Sequence, residues 1–417
     1  MRVRIHRGAN EIGGNCIEVA AATGERLILD LGRPLSAGWN DTIDLPPVDG
    51  LVEFDAGLLG LIVSHPHLDH YGLVKQVACS VPIFMGREAA SIVKAASFFS
   101  PACAPMAPTG FLEHGCPLHI GPFTVTPYLN DHSAFDAYSM VVEADGRRLF
   151  YTGDMRAHGR KAALFDRFVA EPPQGIHAVL MEGTHVRPDA SHDDAVFDTE
   201  QDLEEELVRL CNATAGAVVM FGSAQNIDRL VTAYRGARRS NREFVVDLYG
   251  ATVASSTRAT IPQPGFPGLR VLVPQRQRVR VKQSGEFERV EAIKSVRIFP
   301  EEIAAQPGRF VLHVPSSTAA ELLDSGVLDS RGLALWSLWA GYLKEPGGIS
   351  MLSMFEAANV GFCHLHTSGH ASVADLRRLV VALDPARVIP IHSESTNRFA
   401  ELFPTVERHT DGEWWSA

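Results

Sequence analysis

No two of the six cysteines (Cys16, Cys79, Cys103, Cys116, Cys211, Cys363) form a Cys-x-x-Cys pair. That excludes a zinc ribbon and gives no disulfide framework, so most of them are read as small buried hydrophobes. No apolar run reaches the length needed to cross a bilayer, and no membrane partner is expected. The opening residues, Met1-Arg2-Val3-Arg4-Ile5-His6, alternate like a strand and lack the apolar stretch of a secretory leader, so a cytoplasmic protein is expected. Internal repeats and low-complexity tracts are missing as well. An excess of basic charge is also missing: the formal charge is −11. That balance does not settle the question of a nucleic-acid partner, because bound divalent cations offset carboxylates locally.

What is present is an ordinary globular composition, 46% apolar and 21% charged, over 417 residues. That length allows two to three domains. The first stretch reads as short strands with tight turns, Thr23-Gly24 and Asp145-Gly146 marking hairpins. Leu58 to Val63 is a continuous apolar run, as expected of a buried strand. From about Val179 strands and helices alternate, which predicts a parallel α/β segment inserted within another domain. The expected division is 1–175 for the first part of the outer domain, 176–350 for the insert and 351–417 for the return.

His65-Pro66-His67-Leu68-Asp69-His70 stands directly after the Leu58 to Val63 run. Imidazole and carboxylate suit zinc or manganese, and the cluster holds no thiolate that would favour a softer metal. Four such side chains in six residues cannot share one strand face, but a loop lets them diverge toward two neighbouring ions. Further candidates follow apolar runs: Asp30, Asp131-His132, Asp154 and His392. Ligands at strand ends are held rigidly, as a metal site requires. Any one of them alone reads more readily as a structural residue; the ordered series is what carries the case.

In these residues the chain resembles the metallo-β-lactamase superfamily, and more closely its β-CASP nuclease branch, which includes ribonuclease J and the cleavage factors of messenger-RNA 3′ processing. The resemblance implies an αββα sandwich with an inserted parallel α/β β-CASP domain. It implies that His65, His67 and His132 hold one metal, that Asp69, His70 and His392 hold a second, and that Asp154 bridges them, with Asp30 orienting a ligand imidazole. The ions implied are two divalent cations, zinc first and manganese second. Glu182-Gly183-Thr184 resembles the acidic first motif of the branch, with Glu where ribonuclease J enzymes carry Asp. Thr367-Ser368-Gly369-His370-Ala371 resembles the second, and His392 fills the third, where RNA-acting members carry His. Ser223-Ala224-Gln225-Asn226 and the aromatic run Trp336 to Tyr342 resemble stretches of the insert, the latter also being readable as plain core packing. The chain ends shortly after His392, so the C-terminal domain of typical ribonuclease J enzymes is expected to be missing, which leaves the oligomeric state open.

The function implied is hydrolysis of RNA phosphodiester bonds, endo- or 5′-exonucleolytic, on single-stranded RNA. Asp69, Glu182 and His370 are the catalytic candidates, His370 as general acid and Glu182 as the group that orients it. Ser368 and Gly369 are candidates to meet a phosphate. Arg276, Arg278, Arg280 and Lys282 recur at a spacing of two, which in an extended strand places them on one face suited to a nucleic-acid backbone, or simply to water. The competing readings are a DNA nuclease of the same branch, a small-molecule hydrolase of the same fold such as a thioesterase or lactonase, and a catalytically silent RNA-binding subunit. The insert with Glu182 and His370 speaks against the small-molecule hydrolase, and the complete ligand set against the silent subunit.

Overall fold

A computed structural model describes residues 1–38, 41–187 and 197–417. The strands are, in chain order, β1 (Arg2–Arg7), β2 (Cys16–Ala20), β3 (Arg26–Leu29), β4 (Leu58–Ile62), β5 (Ile83–Gly86), β6 (Gly110–Leu112), β7 (Leu118–Ile120), β8 (Phe123–Leu129), β9 (Tyr138–Ala144), β10 (Arg147–Tyr151) and β11 (Ala178–Met181). They continue as β12 (Val218–Phe221), β13 (Glu243–Asp247), β14 (Leu269–Leu272), β15 (Arg297–Ile298), β16 (Phe310–Val314), β17 (Leu333–Trp336), β18 (Gly361–His364), β19 (Val388–Pro390) and β20 (Trp414–Ser416). The chain divides into two units, one made of Met1–His192 and Gly369–Ala417, the other of Asp193–Ser368.

The first unit is an αββα sandwich. One sheet runs β20-β1-β2-β3-β4-β5-β6 and the other β19-β11-β10-β9-β8-β7. Alternation along each strand separates the layers. Leu149 and Tyr151 of β10 and Met140 and Val142 of β9 face the core between the sheets, with Val3, Ile5, Leu27 and Leu29 opposite. Phe150 and Val141 point the other way, onto a layer with Phe165 of the helix Ala162–Ala170 and Leu376 and Leu379 of the helix Val373–Leu383. Ile28 and Leu61 pack outward against Ala89 and Val93 of the helix Arg87–Phe99.

The second unit is a parallel sheet in the order β15-β14-β13-β16-β12-β17-β18, with helices between the strands. Both of its borders lie downstream of the expected 176 and 350. Strand β11 pairs in parallel with β10 and β19, which makes it part of the sandwich. Strand β18 pairs with β17, which makes it the edge of the inserted sheet. Sheet membership rests on pairing between distant segments, and a strand's own residues do not specify it.

Three further expectations are corrected. Arg276, Arg278, Arg280 and Lys282 do not form a strand; they lie on the helix Gln275–Ser284. Val279 and Val281 among the basic residues imitate a period of two. The punctuation is helical, with Pro274 directly before the helix and Gly285 closing it at φ +76°. At helical spacing Arg276 and Arg280 share one flank, Arg278 and Lys282 another. Of the cysteines, Cys16, Cys103 and Cys211 are buried, whereas Cys79 and Cys116 are exposed. In the aromatic run Trp336 is buried, while Trp339 and Tyr342 are 46% and 44% exposed, so core packing explains only the first. No helix among the described residues is long and apolar enough to cross a membrane.

A buried carboxyl gives the second unit a pH dependence. Asp247, at the end of β13, accepts from Gly250 N at 2.7 Å and from Gln277 Nε2 at 2.5 Å. Burial raises it from the ordinary 3.8 to about 6, against the pull of those two donors. A carboxyl raised on folding contributes its full stability below its unfolded value and loses it as pH rises through about 6. The loss at neutral pH is of order 3 kcal/mol. Asp247→Asn keeps an acceptor for Gly250, and its amide N–H can meet Gln277 Oε1, which is buried without a hydrogen-bond partner. Melting curves across pH 4 to 8 should show the variant more stable than wild type above pH ~6 and no more stable below pH ~4. A constant difference across that range would refute the assignment.

Candidate metal centre

Each proposed ligand sits where a strand of the sandwich has just ended. His65 to His70 follow β4, His132 follows β8, Asp154 follows β10 and His392 follows β19. The backbone there is held in costly conformations: Asp30 has φ +59° and His392 φ +50°, left-handed values that few residues other than glycine adopt. Leu68–Tyr71 forms a single helical turn, which separates the side chains of the first cluster.

The side chains gather into two groups, His65 with His67 and His132, and Asp69 with His70, Asp154 and His392. Within each group the ligand atoms lie within 4.8 Å of one another. His67 Nδ1 and His132 Nε2 stand 3.2 Å apart. Asp154 Oδ2 is 3.7 Å from His65 Nε2 and 3.2 Å from His70 Nε2, so this carboxylate reaches both groups. His65 Nε2, His70 Nε2, His392 Nε2 and Asp154 Oδ1 are buried without a hydrogen-bond partner. A buried polar atom left so costs roughly 1–3 kcal/mol, and four of them turned toward one small region is the pattern a cation removes. The donor set, all imidazole and carboxylate, fits zinc or manganese.

Outer contacts fix which ring nitrogen faces inward. Ser64 Oγ donates to Asp30 Oδ2 at 2.7 Å, so it accepts from His65 Nδ1 at 3.0 Å. His70 Nδ1 donates to Asp30 Oδ2 at 2.7 Å, and His132 Nδ1 to the Gly369 carbonyl at 2.7 Å. In the neutral form of all three rings Nε2 thereby carries its lone pair toward the centre. His392 differs, because its Nδ1 faces the amide nitrogen of Asn15 at 3.0 Å. Asp30 accepts further bonds from Ser64 N at 2.6 Å and Tyr151 OH at 2.5 Å, so four donors hold it in place.

Electrostatics favour the neutral ring at four of the five histidines, and at His70 the proton must give way to a cation. Burial, aided by neighbouring imidazoles, holds His65 and His132 well below the ordinary histidine value; burial lowers His67 and His392 as well, against nearby carboxylates. Neutral rings are what a metal needs. His70 rises well above its ordinary value, because Asp154, Asp69 and Asp30 outweigh burial. Asp154 is held well below the ordinary carboxyl value by His392, His70 and His370, again against burial.

Beside the ligands, Glu182 follows β11 and accepts from Met155 N at 3.1 Å. Its Oε2 lies 3.2 Å from His370 Nδ1. Burial opposes a charge on His370, but Glu182 and then Asp154 outweigh it and the ring is pushed up to about 9. Divalent cations at the two groups would act in the opposite sense. The His370 ring stands 5.7 Å from that of His132 and 5.6 Å from that of His392, next to both groups.

Sequence reasoning missed Asn15, Ser64 and Tyr151, and it missed the use of the Gly369 carbonyl to hold a ligand ring. It also missed Lys161, whose Nζ donates to the His132 carbonyl at 2.8 Å. Ser372 caps the helix Val373–Leu383 through Asp375 N at 3.1 Å, so that donor is already engaged by the chain itself. The basic helix Gln275–Ser284 belongs to the other unit.

Residues 41–221 match the family model of the β-lactamase superfamily domain, and residues 363–409 that of a Zn-dependent metallo-hydrolase RNA specificity domain. Ribonuclease J of Sinorhizobium meliloti is 22% identical over 387 residues, covering 88% of this chain and 65% of that protein. Ribonuclease J of Helicobacter pylori is 22% identical over 415 residues, covering 93% of this chain and 55% of that protein. An RNase J-like protein of Methanocaldococcus jannaschii is 26% identical over 250 residues, 56% of this chain and 54% of its own. The chain thus spans between half and two thirds of the length of these relatives. A crystallised protein of unknown function from Enterococcus faecalis V583 shares the fold with a TM-score of 0.80 at 20% identity, over 99% of both chains.

Proposed function

From its place in the metallo-β-lactamase superfamily, to whose ribonuclease J-like β-CASP branch this chain belongs, we propose that the protein is a metal-dependent ribonuclease acting on single-stranded RNA. The observation that carries the reading is Asp154 reaching both ligand groups while the Glu182–His370 pair stands beside them. Two divalent cations, zinc or manganese, would be held by His65, His67 and His132 and by Asp69, His70 and His392, with Asp154 shared. When bound they would supply a nucleophilic hydroxide and neutralise charge on the scissile phosphate.

The chain's own residues do the rest. Asp30, Ser64 and the Gly369 carbonyl fix the ligand rings so that no reorganisation is needed as charge develops. Asp69 Oδ2, 3.7 Å from His70 Nε2 and 3.9 Å from His392 Nε2, is the proposed group to orient the attacking water as well as to ligate. Glu182 holds His370 through Nδ1 at 3.2 Å, and the ring is the proposed donor of a proton to the leaving oxygen. Ser368 and Gly369, directly before His370 in the chain, are proposed to meet the phosphate. End-labelled single-stranded RNA and DNA, each with 5′-phosphate or 5′-hydroxyl, test the reading with zinc or manganese. RNA cleavage is expected, and the product ladder separates endonucleolytic from 5′-exonucleolytic action. Cleavage of DNA alone, or of thioesters and lactones but no nucleic acid, would overturn it.

The basic helix is proposed as an auxiliary grip on RNA. Arg278 is already paired with Glu321 at 3.3 Å. Arg276 and Arg280, four residues apart on the other flank, are the pair to test. Each phosphate neutralised contributes about −0.7 to the slope of log affinity against log salt on a single strand. Arg276→Gln with Arg280→Gln should flatten that slope by roughly 1–1.5 and leave metal content unchanged. An unchanged slope would return the helix to a solvated face.

A further inference from the structure

His70, His65 and His132 each have an acceptor at Nδ1, and His392 has a donor there. The Asn15 amide nitrogen lies 3.0 Å from His392 Nδ1 and Asp154 Oδ1 lies 3.4 Å from the same nitrogen; with the amide turned this way Nδ1 accepts from Asn15 and the ring proton sits on Nε2. A ring so protonated cannot ligate through Nε2. Yet His392 Nε2 is buried without a hydrogen-bond partner, 3.9 Å from Asp69 Oδ2 of the same ligand group. The second loose end is on Asn15 itself, whose Oδ1 is also buried and also has no partner. Turning the amide brings Oδ1 to His392 Nδ1, at the expense of the 3.5 Å contact from Asn15 Nδ2 to Tyr151 OH.

Resting on the metal reading above, we propose that Asn15 is the positioning residue of the second metal, its amide turning over on metal binding so that Oδ1 accepts from His392 Nδ1–H. Nε2 then carries the lone pair toward the ion, as in the other three rings. The surroundings favour this role. Asn15 donates its backbone N–H to the Asp69 carbonyl at 3.2 Å and accepts from Gly32 N at 2.9 Å. The residue is thus tied by its backbone to one member of the group and by its side chain to another. Gly8 gives the amide its room: a Cβ at that position would stand 2.5 Å from Asn15 Oδ1, and φ of +106° suits glycine. The segment Glu11-Ile12-Gly13-Gly14-Asn15 precedes every ligand in the chain, so this part of the site is set 377 residues away from His392.

The test is zinc affinity of the full chain without RNA, by competition with a chromophoric chelator, for wild type, Asn15→Leu and Asn15→Asp. Leucine removes both donor and acceptor, whereas aspartate can only accept. We expect Asn15→Leu to lose about 10–100-fold in affinity for one of two zinc ions, the usual cost of removing a partner that orients a ligand, with the other ion unaffected. Asn15→Asp should stay within a few-fold of wild type, because it supplies the acceptor. An aspartate variant as weak as the leucine variant would overturn the proposal, since the amide N–H would then be what matters. Wild-type affinity in Asn15→Leu would overturn it too. If the leucine variant fails to fold, the aspartate variant alone decides between acceptor and donor. Wild type that binds two zinc ions but cleaves no RNA sinks the ribonuclease reading and leaves this one standing. A chain that takes up no second zinc overturns the present proposal.

Discussion

Asp154→Ala should bring metal content down at both positions and lower RNA cleavage by at least about 10⁴-fold, the scale on which cooperating catalytic groups fail together. Removing a ligand that serves one ion empties one position; removing a shared ligand weakens two. The geometry motivates the stronger expectation: Oδ2 lies 3.7 Å from His65 Nε2 in one group and 3.2 Å from His70 Nε2 in the other, and Oδ1 is buried and unpartnered. A comparison with His67→Ala sharpens the measurement. His67 belongs to one group only, so its variant should retain about one ion per chain where Asp154→Ala retains few of either. Elemental analysis of the two purified variants reads this directly, without an activity assay. Two ions per chain in Asp154→Ala would remove the bridging role, and equal single-ion losses in both variants would demote Asp154 to an ordinary ligand.

Much of this centre can be read in the residues because its ligands come at the ends of apolar runs. Leu58 to Val63 before His65, Leu149 to Thr152 before Asp154 and Val388 to Ile391 before His392 are buried strands whose composition declares them. Rare residue types in that position are conspicuous. The parts that stayed hidden are made of common types or depend on distant pairing. Asn15, Ser64 and Tyr151 are unremarkable in composition, and their roles exist only because Asp30 or His392 is brought alongside by the sandwich. The borders of the insert are illegible for a related reason, β11 and β18 being short apolar segments that either sheet could accept by composition. In the basic run, alternation alone points to a strand. Pro274 and Gly285, which bracket a helix, were the better signal.

His370→Ala should keep both metals and slow RNA cleavage by roughly 10²–10⁴-fold at saturating substrate, the range for a lost general acid. That corresponds to about 2.7–5.5 kcal/mol of transition-state stabilisation. Metal retention is expected because the two ligand groups are complete without this ring, although it stands next to both. Glu182 makes the role specific. It is almost fully buried, takes a backbone N–H from Met155, and turns Oε2 to His370 Nδ1 at 3.2 Å. That arrangement stabilises a protonated imidazole, the form that proton delivery requires. Glu182→Gln should therefore slow cleavage less than His370→Ala, since glutamine still offers an oxygen to Nδ1 but not a charge. The two changes together should cost little more than His370→Ala alone, because Glu182 acts through the ring. Strict additivity would show that the carboxylate acts independently, and near-normal turnover in His370→Ala would remove the acid role altogether. Loss of metal from His370→Ala would make the ring a ligand, and proton delivery would then have to come from another group.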